Sequence, residues 1–418
     1  MKDKKKIGLF GIYGLYNYGT EAIVRGTYKL IKLSWPNSEI ILYTFLPNQD
    51  RKVVEDLNIS CMSVPLKKFV FARRLFNKLL RVLNFEYQVQ IWDATRVADE
   101  CDMVFSVGGD IYTIPKHLIE IGREPRHNLL VEFGKEIVKR KPLIIWGASI
   151  GPFGNKEKIA NYYFNHFKDV SLIICREQIT MSYLLNNGIK DNAFLLPDPA
   201  FFVVDNIQQK LEVSGKVKVA LNLSPLSVRE SLGEDYIEFF NSLKRSIIDL
   251  LEIPNVDFYL LPHVISPLSD NDNDLIFLKK IFDEIPEEYK NRLTLVSNNN
   301  GFLKTKRFLR HCDIVIAARM HCAINAVSEG IPTIILTYSQ KGVGMAEYIY
   351  DNNKWSVPLL EIEHHLRNRV VMMLSEKRQI KEFLVTRLDE IRSNESLIIE
   401  VFRKVLTTEN YEDARLID

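Results

Sequence analysis

Asp313-Ile-Val-Ile-Ala317-Ala318-Arg319-Met320-His321-Cys-Ala-Ile-Asn-Ala-Val-Ser-Glu329-Gly330-Ile331-Pro332-Thr333-Ile-Ile-Leu-Thr337 carries a whole strand–helix–strand unit. The run 314–317 is apolar without alternation, the mark of a strand buried on both faces. A helical pattern over 321–329 follows at once. Gly330 and Pro332 stop it, and a second apolar run fills 333–337. Two such strands joined by a helix must lie parallel, because the crossover is too long for a hairpin.

The same grammar recurs in both directions. Further strands are expected at 7–11, 40–45, 103–107, 143–148, 171–175, 217–223, 257–261 and 293–296. Helical patterns lie between many of them, at 21–33, 128–140, 159–167, 179–187, 235–251, 275–284 and 344–351. The stretch 205–216 is polar and weakly periodic, and a fresh βα series starts on each side of it. The expectation is an α/β protein with two Rossmann-like doubly wound domains facing a cleft. The N-terminal one would span 1–207 and the C-terminal one 216–360, with a helical segment over 361–418. Open sheets of this type bind ligands beyond the carboxyl ends of their strands, so the loops after the apolar runs are where chemistry is sought.

Composition narrows the partners. The 418 residues hold 55 Lys and Arg against 53 Asp and Glu, a net charge of +2, with 46% apolar residues. That excludes a disordered chain, a collagen-like chain and a uniformly basic nucleic-acid coat. The five cysteines form no CxxC pair and no zinc spacing. Cys175 and Cys312 lie in or beside apolar runs and read as buried thiols. The start Met1-Lys-Asp-Lys-Lys-Lys6 resembles the basic end of a signal peptide. The apolar stretch 7–13 is too short for one and reads as a first strand. No run is long enough to span a membrane. A cytoplasmic protein is expected.

Several loops could carry chemistry. Gly11-Ile-Tyr-Gly14-Leu-Tyr-Asn17-Tyr-Gly19-Thr20-Glu21 leaves the first strand and opens a helix. It offers backbone room and free N–H groups to an anion, and Thr20 is a candidate cap for the helix. Gly108-Gly109-Asp110 ends the strand 103–107. Asp110 reads as a base or hydroxyl-binding group, or as a turn residue bonded to its own backbone. Gly147-Ala-Ser149-Ile-Gly151-Pro152 lacks the frame of a serine nucleophile. Arg176 stands at a strand exit, suited to grip a carboxylate or phosphate, or to pair with Glu177 or Asp198.

Arg319 and His321 are the strongest pair. An arginine, an imidazole and free helix N–H groups at one helix start make an anion site with a proton carrier beside it. Lys341, in the Gly-flanked loop after 333–337, is a further anion candidate. His263 precedes Asp270-Asn-Asp272-Asn-Asp274. That cluster lacks the glycine and glutamate of a calcium loop and reads as helix capping, so no metal is expected. The segment 66–85 stands apart, with six basic residues, no acidic one and an amphipathic pattern. It reads either as a peripheral membrane contact or as a surface helix packing its apolar side inward.

The ordered motifs resemble the polysaccharide pyruvyl transferases. They are the G-x-x-G-x-x-N-x-G loop at Gly11, Gly14, Asn17 and Gly19; Gly108-Gly109; the G-x-S-I-G-P stretch at 147–152; Arg176-Glu177; Leu196-Pro-Asp198-Pro-Ala200-Phe201; and Arg319-Met320-His321 with Gly330-Ile-Pro332 after it. The sequence departs from the family at Thr20-Glu21, where an Asp usually follows the glycine, and at Asp110, where a third glycine is common. The resemblance implies a GT-B-like fold and transfer of pyruvate from phosphoenolpyruvate to a sugar as a ketal, the acceptor being free or lipid-linked. It implies that Arg319, Met320 and His321 line the donor site, with Arg176 and Asp110 opposite; Arg319 and Arg176 would each hold one of the donor's two anionic groups, and Lys341 is a further donor-binding candidate. His321 and Asp110 would be the catalytic pair. Asn17, Gly19, Gly109, Ser149 and His263 would line the acceptor side or the cleft. Phosphoenolpyruvate is then a co-substrate, no cofactor or metal is needed and nucleic acid is no partner. A nucleotide-sugar glycosyltransferase on the same fold, and a non-enzymatic scaffold, are the competing readings.

Overall fold

A computed structural model describes residues 4–83, 85, 87–109, 111–203, 205, 207, 215–233, 237–298 and 301–407. The chain divides into two compact units. The first holds residues 1–15, 27–199 and 394–418, and the second holds 16–26 and 200–393. The division after Pro199 falls slightly before the polar stretch expected to separate the domains. Residues 208–214 of that stretch lie outside the described ones.

The first unit is built on seven parallel strands: β1 (Lys6–Phe10), β2 (Glu39–Thr44), β3 (Ile59–Ser63), β4 (Met103–Ser106), β5 (Leu143–Ala148), β6 (Leu172–Cys175) and β7 (Ala193–Leu195). Their order is β3-β2-β1-β4-β5-β6-β7. β4, β5 and β6 are buried at every position, as their unalternated apolar sequences require.

The second unit repeats the plan with β8 (Val217–Asn222), β9 (Val256–Leu260), β10 (Leu293–Leu295), β11 (Ile314–Ala317), β12 (Thr333–Thr337) and β13 (Ser356–Pro358). Their order is β10-β9-β8-β11-β12-β13, again all parallel. Strand order therefore reverses between β1 and β4 in one sheet and between β8 and β11 in the other. Loops diverge at such a reversal and leave a crevice beyond the strand ends. The two Rossmann-like parallel sheets make the fold α/β and GT-B-like.

The tail is helical, as expected. Ile362–Ser393 forms one long helix and Glu395–Thr407 another. The long helix belongs to the second unit and the last helix to the first. The last helix is anchored by Phe402, whose ring lies 5.0 Å from Phe105, 5.2 Å from Trp146 and 6.4 Å from Trp35. Glu395 pairs with Lys29 at 2.7 Å, and Arg403 donates to the carbonyl of Ser34. All five cysteines are buried and unpaired. No described helix is long and apolar enough to cross a membrane.

Candidate active site

The candidate residues gather in two clusters, one in each unit. In the second unit the sheet reverses at β8 and β11, and both strands end in the cluster. Asn222 closes β8 and is wholly buried. Its backbone carbonyl accepts from Ala318 N at 3.0 Å, and its Oδ1 accepts from Arg319 N at 2.9 Å. This fixes the turn from β11 into the helix Met320–Val327, where Arg319 is the N-cap residue and His321 lies in the first turn.

The guanidinium of Arg319 is held from below. Nε and Nη2 donate to Asp274 Oδ1 at 3.2 and 2.8 Å, and Nη2 donates to Asp272 Oδ1 at 2.6 Å. Burial opposes its charge, but the carboxylates of Asp274 and Asp272 override that and hold it above its ordinary value. Nη1 has no acceptor among the described residues. Asp274 is fully buried, and its Oδ2 accepts from the backbone N–H groups of His263 and Val264, each at 3.0 Å, and from Asn222 Nδ2 at 3.3 Å. One carboxylate thus ties together the exit of β8, the chain after β9 and the arginine after β11.

The expected capping role of the aspartates is corrected here. Asn273 caps the helix Asp274–Asp283, its Oδ1 accepting from Leu275 N and Ile276 N. That frees Asp272 and Asp274 to orient Arg319. Among the described residues no group of His, Cys, Asp or Glu is placed to hold a metal ion.

The glycine loop supplies the other wall, because residues 16–26 belong to this unit. Asn17 bridges Val264 in an antiparallel pair, Tyr18 N donates to the His263 carbonyl, and Ile265 N donates to that of Tyr16. The helix Tyr18–Ser34 begins here, earlier than expected. Asn17 caps it, accepting from Gly19 N at 2.9 Å and Thr20 N at 3.4 Å, so the cap assigned to Thr20 belongs to Asn17. Gly19 is packed against His321. A Cβ at Gly19 would sit 2.5 Å from His321 Cβ and 2.7 Å from Cγ. The missing side chain therefore admits the imidazole.

His263 lies beneath, 1% exposed. Its Nε2 is 3.1 Å from Asn325 Nδ2, and Tyr18 meets its ring edge-on at 5.6 Å. Burial, then the neighbouring His321 and Arg319, push its imidazole well below the ordinary value, so it stands neutral. Burial also pushes the Tyr18 phenol up to about 12, and its oxygen accepts from Gly301 N. His263 is thus a packed floor beneath the loop. Met320 and His321 are half-buried. Lys341 is also half-buried, in the first turn of the helix Gln340–Tyr350 that follows β12, the neighbour of β11.

The first unit brings together Gly109, Ser149, Arg176 and Asp198. Arg176 is 1% exposed. Its Nη1 donates to Asp198 Oδ2 at 3.0 Å, while Nε and Nη2 donate to Ser149 Oγ at 3.1 and 2.9 Å. Ser149 N donates to the Gly109 carbonyl. A Cβ at Gly109 would sit 3.3 Å from Arg176 Nη1. Of the two pairings open to Arg176 in the sequence, the structure has Asp198. Glu177 caps the helix Gln178–Asn186 instead. Asp110 lies outside the described residues.

Residues 17–340 match the family model described as polysaccharide pyruvyl transferase. The chain belongs to the polysaccharide pyruvyl transferase family. It is accordingly a transferase of polysaccharide biosynthesis. The amylovoran biosynthesis protein AmsJ of Erwinia amylovora is 22% identical over 377 residues, covering 82% of this chain and 86% of that protein. Solved structures share the fold at low identity. A glycosyltransferase from Rickettsia africae aligns with a TM-score of 0.57 at 12% identity, over 97% of this chain and 100% of that one. Anabaena Alr3699/HepE in complex with UDP-glucose gives 0.57 at 12% over the same shares. The UDP-GlcNAc 2-epimerase of Neisseria meningitidis gives 0.55 at 12%, over 96% and 100%. The region matched by the family model, 17–340, takes in Arg176, Arg319 and His321, stops one residue short of Lys341 and excludes the long C-terminal helix.

Proposed function

We propose that this pyruvyl transferase family member moves the pyruvyl group of phosphoenolpyruvate onto two hydroxyls of a sugar in a cell-surface polysaccharide or its precursor. The observation that carries the reading is the Asp272–Arg319–Asp274 assembly, with Arg319 and Asp274 buried, which fixes one arginine beside a half-buried histidine at a helix start and a sheet reversal. Arg319 Nη1 and the N–H groups of the helix Met320–Val327 then meet an anionic donor, and Lys341 adds charge from the first turn of the helix Gln340–Tyr350 after β12.

The reaction needs a proton and a positioned carbon. His321 protonates the methylene carbon of phosphoenolpyruvate, which leaves an oxocarbenium-like centre at the carbon bearing phosphate. One sugar hydroxyl adds there and gives up its proton. The C–O bond to phosphate then breaks, the second hydroxyl closes the ketal, and inorganic phosphate departs with the balancing proton. Two C–O bonds form and one breaks. Asp110 takes the role of orienting or deprotonating the acceptor hydroxyl. Arg176 acts in the first unit through Asp198 and Ser149, which hold it at the Gly109 turn.

The test is ligand protection against heat. Phosphoenolpyruvate at a hundredfold its dissociation constant stabilises by about 2.7 kcal/mol, a readable rise in melting temperature. UDP-sugars and GDP-sugars should give none. Protection by a nucleotide sugar and none by phosphoenolpyruvate would establish the glycosyltransferase reading instead. Protection by neither would favour a scaffold.

A further inference from the structure

The helix Val70–Val82 turns its apolar side outward. Asn77 faces the protein, 3% exposed, with Nδ2 donating to the Val89 carbonyl at 2.9 Å and Oδ1 accepting from Val89 N at 2.7 Å. Arg73, one turn earlier, donates from Nη1 to the Gln90 carbonyl at 3.2 Å. The helix is thus tethered through polar groups. Phe71, Leu75, Phe76, Leu79, Val82 and Leu83 are all exposed, Phe71 at 80% and Val82 at 72%. At 3.6 residues per turn they occupy one arc of about 140°. Of the two readings left open for this segment, the structure does not have the one that packs the apolar side inward.

The charge beside that arc has one sign. Segment 66–85 contains six basic residues and no acidic one. Lys67 reaches Glu136 at 2.7 Å, but Arg74 and Lys78 are exposed and have no carboxylate partner among the described residues. At helical spacing those two fall on the flank adjoining the apolar arc. A contiguous apolar patch of this kind marks an interaction surface. An apolar face rich in Phe and Leu, edged by cations, matches the layering of an anionic bilayer: acyl chains below, phosphates at the rim. A second copy of the chain fits poorly, because a two-fold contact would set like cationic flanks against each other.

We propose that this helix docks the protein on an anionic lipid surface, its apolar arc entering the acyl boundary and Arg74 and Lys78 meeting lipid phosphates. The inference stands apart from the reaction assigned above. It is tested with the full chain by co-sedimentation with phosphatidylcholine vesicles, with and without phosphatidylglycerol. The expected result is binding to the anionic vesicles, weakened by salt. Arg74→Gln/Lys78→Gln should lower partitioning about 30-fold, from roughly fivefold per basic residue. Phe71→Ser/Leu75→Ser/Leu79→Ser should abolish it at an unchanged melting temperature. The charge variant decides alone should the triple variant fail to fold. No binding to anionic vesicles, or equal binding of the charge variant and wild type, would overturn the proposal. So would a dimer in light scattering that the triple variant dissociates without any vesicle binding.

Discussion

Asp274→Asn is the sharpest perturbation of the second unit. The carboxylate accepts five hydrogen bonds, two from Arg319 and one each from His263 N, Val264 N and Asn222 Nδ2. All five partners are donors. An amide at the same position presents one oxygen, and its NH2 must face either the guanidinium or the two backbone N–H groups. The substitution also removes the more buried of the two carboxylates that compensate Arg319, whose side chain is only 10% exposed. Breaking a buried ion pair from one side costs about 3–5 kcal/mol. For a unit of this size each kcal/mol moves the melting temperature by about 2–4 °C, so the expected fall is about 6–20 °C. Differential scanning calorimetry reads it. A second variant separates the pair from the hydrogen bonds. Asp274→Leu with Arg319→Met removes both charges, and should melt above Asp274→Leu alone because no buried cation is left with only the partly exposed Asp272 as counter-charge. A fall of under about 2 °C in Asp274→Asn, or strictly additive losses in the double variant, would refute the reasoning.

Two further outcomes follow from the packing. His166 is buried and its imidazole is pushed down to about 3, chiefly by burial and secondarily by Lys135. The unfolded chain therefore takes up a proton that the folded one refuses, and stability falls as pH drops below about 6.5, levelling off near pH 3. At pH 5.5 the loss from this residue is about 1.4 kcal/mol. His166→Leu should lose less stability between pH 7 and 5.5 than wild type in paired melting curves, and an identical loss would contradict the assignment. Gly19→Ala places a Cβ within 2.5 Å of His321. Overpacking costs about 1–3 kcal/mol, offset by about 1 kcal/mol from the better helix propensity of alanine, so the net loss of stability should be about 0–2 kcal/mol. Displacing the imidazole should still cut turnover about a hundredfold, and full activity in steady-state kinetics would rule out His321 as the proton donor.

What the sequence discloses depends on where a residue sits in its sheet. All ten expected strands are present, because an unbroken apolar run is the signature of a strand covered on both faces. The three strands beyond these ten, β3, β7 and β13, are all outermost in their sheets. β3 reads Ile-Ser-Cys-Met-Ser with one buried residue, and β13 ends in proline. Edge strands are short and half-exposed, so periodicity does not mark them. The site divides in the same way. Arg319 and His321 were legible because a strand, a polar exit and a helix start are contiguous. The aspartates that hold Arg319 lie more than forty residues earlier, and nothing local distinguishes a carboxylate that caps a helix from one that reaches across a sheet. In the structure Asn273 fills the cap and leaves both aspartates to Arg319. Asn222 is a polar residue at the end of an apolar run, a placement that marks a strand end pointing at function. The outward face of Val70–Val82 could not be read from amphipathicity, which gives the existence of two faces and not which one the protein covers.

The most direct measurement is phosphate release from phosphoenolpyruvate against a panel of lipid-linked and nucleotide-linked sugars. The account predicts release that requires both donor and acceptor. It also predicts loss of that release in His321→Ala and in Arg319→Ala, with the His321→Ala protein melting as wild type does. Near wild-type turnover in either variant, or transfer from a nucleotide sugar with no phosphate released from phosphoenolpyruvate, would contradict it.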